Sequence, residues 1–130
     1  MFVVEEHTAD IRLRLRAASI EELFADGVRG LMAVMKPAHL AESSKVTIEI
    51  EAPDLTALLV DFLNEILLRV QTRSEAFEPE SFVLLDSRVV ATLGARRTEG
   101  FEEDVKAVTY HEADVVNDGG VWSTTLVLDV

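Results

Sequence analysis

Two aspartates near opposite ends of the chain are the residues whose types and positions could do chemistry. Asp10 opens a stretch, up to Arg16, in which apolar and basic residues alternate, and Asp129 ends the last apolar stretch, one residue before Val130. Asp129 and the α-carboxylate of Val130 place two anionic groups within one residue. If Asp10 lay at the neighbouring strand end, the three groups would form a cluster of hard oxygen ligands, which suits Ca²⁺, Mg²⁺ or Mn²⁺ rather than Zn²⁺.

Each aspartate also has a simpler interpretation. Asp10 is in phase with Arg12 and Arg14 on the polar face of the expected strand, so a local ion pair would account for it. When it is exposed, such a pair stabilises the folded state by less than about 1 kcal/mol. Asp129 could be a solvated chain end. Spacing alone leaves these interpretations open beside the metal site.

Other common catalytic arrangements find little support. The chain has no cysteine, which excludes disulfides and thiolate metal sites. It has no Gly-x-Ser-x-Gly elbow and no glycine-rich phosphate loop of the usual spacing. The three histidines, His7, His39 and His111, do not form a local metal motif. No complete catalytic constellation is found, and we expect a protein that is not itself an enzyme.

The charge balance limits the partners. The chain has 12 basic and 24 acidic residues, which gives a formal net charge of −12. Tight binding to a nucleic-acid backbone normally needs clustered Lys and Arg, so we expect none here. An acidic protein could still act on nucleic acid through a basic partner or through bound cations. No segment reaches the ~20 apolar residues that span a membrane, and no signal peptide is visible. A cytoplasmic location is our expectation, and the lack of cysteine is compatible with it.

Hydrophobic periodicity predicts elements in the order β-β-α-β-α-β-β-β-β. The alternation from Asp10 to Arg16 is typical of a half-buried strand, after a short strand over 2–7. Ser19 and Glu22 form a capping box at the start of the first helix, which Pro37 ends. An alternating strand over 45–52 precedes a second amphipathic helix, for which Asp54 is a plausible N-cap.

The second half is rich in strands. Residues 82–95 read as two strands with a turn near Asp86 and Ser87, and 96–104 as a polar loop. "NDGG", residues 117–120, is a strong hairpin signal before the last strand. Because helices fall in the first half and strands dominate the second, we expect an α+β fold. It would be a single domain over 1–130, with a mixed or antiparallel sheet and two amphipathic helices packed on it.

Lys106 and His111 flank the segment "KAVTYH". Residues five apart on an extended strand point to opposite faces. The two side chains would therefore share a site only if the strand bends or ends between them. An exposed lysine and an edge histidine are the simpler interpretation.

Five segments, in order along the whole chain, resemble the archease family. "HTADI" looks like its N-terminal signature, and "WSTTLVLDV" like its last strand, which ends on an Asp followed by an aliphatic residue. "SIEELFADGVRGLMAVM" and "LLVDFLNEILLRVQT" resemble its two helices. "VKAVTYHEADVV" resembles its most distinctive segment. One such motif would be weak, but five in the correct order are specific.

The resemblance implies a function and a site. Archeases are accessory proteins of the RtcB-type RNA ligase, which joins RNA ends in tRNA splicing and repair. They promote guanylylation of the ligase and permit repeated turnover. The family also implies Ca²⁺, or a similar ion, bound by Asp10 and Asp129 with main-chain oxygen from Val130. Lys106, in the distinctive segment, and His111 are implied candidates for contact with the ligase.

One residue departs from the family pattern. Archeases usually have Gly after "HTADI", where this chain has Arg12. A long cationic side chain there could pair with Asp10 and weaken metal binding. Two other classes of function stay open beside the ligase activator: a small metal-dependent hydrolase of phosphoesters, and a general protein-interaction module or chaperone without a metal.

Overall fold

A computed structural model describes residues 1–6 and 10–130. The predicted first strand is confirmed over Phe2–Glu6, whereas His7 and the next two residues of "HTADI" lie outside the described part of the chain. The elements in chain order are β1 (Phe2–Glu6), β2 (Asp10–Ala17), α1 (Ile20–Met35), β3 (Pro37–Ala38), β4 (Ser44–Glu51), α2 (Leu55–Arg73), β5 (Glu75–Leu85), β6 (Arg88–Arg97), β7 (Gly100–Phe101), β8 (Ala107–Thr109), β9 (Val116–Asp118) and β10 (Val121–Asp129).

The strands form antiparallel sheets. A larger sheet has the order β1-β2-β10-β8, with β9 also paired to β10, and a second sheet has the order β4-β6-β5. The short strands β3 and β7 pair separately. Each helix contacts strands of both larger sheets. The predicted α+β fold, with antiparallel strands and two packed helices, is confirmed, but the division into separate sheets was not predicted. Neither α1 nor α2 contains an apolar stretch of the length that a membrane-spanning helix requires.

Side-chain caps determine where both helices begin. Ser19 Oγ accepts from the backbone N–H of Glu22 at 3.1 Å, and Asp54 Oδ1 accepts from that of Ala57 at 2.8 Å. These bonds satisfy N–H groups that have no partner inside the helix. Both predicted caps are confirmed. The Glu22 half of the predicted capping box is not formed among the described residues: the Glu22 carboxylate accepts a hydrogen bond from Arg29 at 2.6 Å instead of one from the Ser19 N–H.

The two helices and β5 meet in a cluster of three phenylalanines. The ring centroids of Phe24 and Phe62 are 5.8 Å apart, and Phe82 lies 6.3 Å and 5.7 Å from them. Tilted and edge-on aromatic pairs at such distances add to the stabilisation from burial. On the other side of α1, an added Cβ at Gly30 would lie 2.8 Å from the δ carbons of Leu13. The absence of a side chain there lets α1 lie close to β2.

The hairpins of the second half follow the predicted turns. Asp86 has a positive φ of 54° between β5 and β6, and Gly119 and Gly120 have φ of 61° and 92° between β9 and β10. Asn117 Oδ1 accepts from the backbone N–H of Gly120 at 3.0 Å, which closes the second turn. Glycine adopts such angles without steric cost. Both turn predictions are confirmed.

The extents of some strands differ from the prediction. β5 begins at Glu75, ahead of the expected start at 82, and its register with β6 shifts between Pro79 and Ser81. Pro79 lacks an N–H and is tolerated because it lies on an outer strand at this irregularity. The segment expected as a polar loop contains β7, and its Thr98 is buried and donates to main-chain carbonyls.

Replacement of Phe62 by alanine tests the aromatic cluster. Phe62 is fully buried, so Phe62→Ala should lower the free energy of unfolding by about 3–5 kcal/mol, through lost burial and the cavity left behind. Urea denaturation monitored by circular dichroism measures this change. Leu68→Ala, on the same helix but 51% exposed, is the control and should change stability by less than about 0.5 kcal/mol. Equal losses in the two variants would contradict the proposed packing.

Candidate functional site

The pairing of β2 with β10 brings Asp10 and Asp129 together. The register of this pair places Trp122 opposite Ala17 at one end and Asp129 opposite Asp10 at the other. Directly opposed residues of an antiparallel pair project from the same face, with Cβ atoms roughly 4.5–5.5 Å apart. The two carboxylates singled out in the sequence, about 120 positions apart along the chain, are therefore cross-strand neighbours.

The charges around Asp10 do not match the simple ion-pair interpretation. Arg12 pairs with Glu112 at 2.8 Å, and Arg14 pairs with Glu5 at 2.8 Å. Asp10 Oδ1 is buried and has no hydrogen-bond partner among the residues that the structure describes. An unpartnered buried carboxylate oxygen is costly, and two like charges directly opposite each other on neighbouring strands are unfavourable. A cation between the two carboxylates would remove both costs.

A third strand completes the surroundings of Asp129. The backbone N–H of Lys106 donates to the Asp129 carbonyl at 2.8 Å, and Ala107 lies opposite Asp129 in the β8–β10 ladder. Val130 follows directly and is 38% exposed. Because Val130 directly follows the last residue of β10, its main-chain oxygen lies at the same strand end as the two carboxylates.

The donors at this strand end suit a hard cation. Across residues 1–6 and 10–130, no three His, Asp or Glu side chains are grouped as a metal site. A cation here would therefore need further oxygen ligands, such as water or the main-chain oxygen of Val130, besides the carboxylates of Asp10 and Asp129. Such an oxygen-only set fits Ca²⁺, and Mg²⁺ or Mn²⁺ after it.

Lys106 and His111 flank β8, with Lys106 directly before its first residue and His111 two residues after its last. The strand stops at Thr109, and His111 belongs to the turn that follows. A strand that ends between the two residues is the condition that a shared site required. In this turn, Glu112 has a positive φ of 61° and binds Arg12 of β2, so the turn is tied to the same sheet.

Tyr110 makes a polar contact that could not be predicted from the sequence. Its phenol, 55% exposed, donates to the Asp61 carboxylate of α2. The pKa of Tyr110 is raised, first by this hydrogen bond, then by partial desolvation and the negative charges of Asp61 and Asp54. Nothing in the sequence pairs Tyr110 with Asp61, because the contact joins elements that are distant along the chain.

The fold and the paired carboxylates define a small α+β protein with an acidic site at a strand end. The sequence pattern of the Archease protein family (MTH1598/TM1083) matches residues 2–130. Protein archease of Methanopyrus kandleri is 32% identical over 134 residues, which cover 96% of each chain. Protein archease of Thermococcus kodakarensis is 32% identical over 137 residues, which cover 96% of this chain and 95% of that one.

Solved structures agree in fold. Protein 1598 of Methanobacterium thermoautotrophicum, solved in solution, superposes with a TM-score of 0.72 at 26% identity, over 99% of this chain and 98% of that one. The crystal structure of a Thermotoga maritima archease, described as a possible chaperone, gives 0.72 at 23% identity, over 100% and 98%. The chain belongs to the archease family, as its motifs had indicated.

The Tyr110–Asp61 contact can be measured directly because Tyr110 is the only tyrosine. Ultraviolet titration of the phenol should give a midpoint above the ordinary value near 10. In Asp61→Asn, the carboxylate acceptor and its charge are lost, so the midpoint should fall. Asp54→Asn, which keeps a good N-cap, should lower it less. An unchanged midpoint in Asp61→Asn would contradict the contact.

Proposed function

We propose that this protein is an accessory factor of an RtcB-type RNA ligase that acts in tRNA splicing and RNA repair. In this role it promotes guanylylation of the ligase and its multiple turnover, and it does not itself join RNA. Membership of the archease family supports the class of function. The observation that carries the site is the cross-strand pair of Asp10 and Asp129, with one buried Asp10 oxygen that has no hydrogen-bond partner among the described residues.

A divalent cation at this strand end is part of the proposal. Asp10 and Asp129 would hold it through their carboxylates, and Val130 through main-chain oxygen, with Ca²⁺ the first candidate and Mg²⁺ or Mn²⁺ next. When bound, the ion supplies positive charge and Lewis acidity for phosphate oxygens. The chain's own residues bind and orient: the strand pair fixes the two carboxylates, and the Lys106 N–H holds the Asp129 carbonyl.

The surface next to the carboxylates is proposed as the face that meets the ligase. Lys106 is exposed and adjoins Asp129, and His111 is exposed in the turn after β8. Both are therefore available for contact with a partner. A net charge of −12 favours docking on a basic, RNA-binding enzyme over direct binding of RNA. A cytoplasmic location, together with the ligase, belongs to the same proposal.

Thermal unfolding tests the cation site without the ligase. A ligand that binds only the native state stabilises it, by about 3 kcal/mol at a free concentration a hundred times the dissociation constant. Ca²⁺ should therefore raise the melting temperature by several degrees relative to EDTA. Asp10→Asn should abolish this shift. In EDTA the variant should be at least as stable as the wild type, since it removes a like-charge pair.

The control for this measurement is Asp118→Asn, which removes an exposed carboxylate from β9 of the same sheet. It should keep the full Ca²⁺ shift. If Ca²⁺, Mg²⁺ and Mn²⁺ all leave the wild-type melting temperature unchanged, the cation site is wrong. That result would favour an interaction module without a metal.

Multiple-turnover RNA joining tests the function itself. With the RtcB-type ligase of the same organism, the wild-type chain should increase guanylylation and the number of turnovers. Asp10→Asn and Asp129→Asn should each remove the stimulation while circular dichroism shows an intact fold, and Asp118→Asn should retain it. No stimulation by the wild-type chain would refute the proposal. Turnover of a phosphoester by the chain alone would point to a hydrolase.

A further inference from the structure

The outer edge of β8 is bound by a side chain of α2. Within the described residues, β8 has a strand neighbour on one side only, which is β10. On the other side, Asn64 Nδ2 donates to the Val108 carbonyl at 2.8 Å, and Asn64 Oδ1 accepts from the Val108 N–H at 2.9 Å. An amide that donates and accepts in this way reproduces the hydrogen bonds that a neighbouring strand would make.

A second amide of α2 binds the same segment two turns further along the helix. Gln71 Nε2 donates to the Val105 carbonyl at 3.2 Å and lies 3.5 Å from the Lys106 carbonyl. Residues seven apart lie on one face of a helix, so Asn64 and Gln71 bind the segment from the same side. The main chain of 105–108 is therefore held at two points.

This segment in turn holds the main chain of Asp129. The Lys106 N–H donates to the Asp129 carbonyl, and Ala107 is the ladder partner of Asp129. A continuous series of hydrogen bonds thus runs from α2 through β8 to the strand end that carries the paired carboxylates. No other step of the proposed function uses Asn64 or Gln71.

We propose that Asn64 and Gln71 are positioning residues, which fix the Asp129 main chain by holding β8 and thereby set the cation affinity of the Asp10–Asp129 site. The inference rests on the proposed function for its ligand, but not for its geometry. β8 is only three residues long, and Asp129 is the last residue of its strand. Short strands and strand ends open readily, so the loss of the amides would loosen both β8 and the end of β10.

Calorimetric titration with Ca²⁺ at 25 °C tests the effect on affinity. Loss of a residue that orients a metal ligand typically weakens binding by 10–100-fold. We expect Asn64→Ala to raise the dissociation constant by about tenfold or more, and Gln71→Ala, which removes longer and more exposed bonds, by less. Asn117→Ala, which loses one amide contact at the far end of β10, is the matched control and should bind like the wild type.

Amide hydrogen exchange tests the positioning without any metal. In EDTA, Asn64→Ala should speed exchange at Lys106 by about tenfold or more, while amides in the middle of α1 keep their protection. Unchanged exchange at Lys106 would overturn the inference. So would faster exchange with an unchanged dissociation constant, since the amides would then be merely structural.

The two proposals can fail separately. If the wild-type chain binds none of Ca²⁺, Mg²⁺ or Mn²⁺, the cation site fails, and the exchange at Lys106 alone decides whether the amides position Asp129. If Asn64→Ala does not fold, both measurements can be made with Gln71→Ala. Gln71 is exposed, so this replacement should leave the fold intact. An equal loss of affinity in Asn117→Ala would also overturn the inference.

Discussion

The pairing of β2 with β10 is the constraint on which the rest of the structure depends. It joins residues 10–17 to residues 121–129 and so closes the larger sheet across nearly the full length of the chain. Its register is held by burial, because Leu13 and Leu126 are opposed and both are fully buried. A slip of one residue would turn these side chains to solvent. The same register places Asp10 opposite Asp129. Hydrophobic burial therefore holds two carboxylates opposite each other despite the repulsion between their charges.

The helix α2 serves both the core and the site. Its apolar face is buried, with Phe62, Leu63 and Ile66 fully covered. Its polar face binds the segment 105–115: besides the two amides, Thr56 Oγ1 accepts from the Val115 N–H at 3.0 Å. Since core packing fixes the rotation of α2, the position of the segment beside Asp129 follows from the packing of the core.

Local features of the fold could be predicted from the sequence, and so, conditionally, could the closeness of the two aspartates of the candidate site. Strand alternation, the Ser19 and Asp54 caps and the turns each depend on a few neighbouring residues, so periodicity and turn chemistry suffice. The sequence predicts that Asp10 and Asp129 meet only if their strands are neighbours, and the pairing of β2 with β10 places the two residues opposite each other. The division of the strands into sheets was missed because it depends on which strands meet, a property that a single sequence does not contain.

The contacts between distant segments were missed for the same reason. The apolar periodicity of α2 is sufficient to predict the helix, and it carries no information about the polar residue Asn64. The partner of Asn64, Val108, is 44 positions away. The Arg12–Glu112 pair is likewise a contact across the fold, whereas the sequence offered only the near neighbour Asp10 as a partner. An amphipathic pattern predicts which face is buried, but it does not predict what the opposite face binds.

Arg12 stands where the family usually has Gly, and its ion pair with Glu112 determines how its charge affects the two carboxylates. Arg12 lies two residues from Asp10 on the same strand face, roughly 7 Å away along the strand. This spacing separates the Cα atoms, and an unpaired guanidinium on the same face would oppose a cation at Asp10 by electrostatic repulsion. Glu112 takes up this charge at 2.8 Å, so most of the repulsion is cancelled locally. Arg12 thus ties the turn that carries His111 to β2, and the departure alters the surface beside the carboxylates while leaving the pair itself intact.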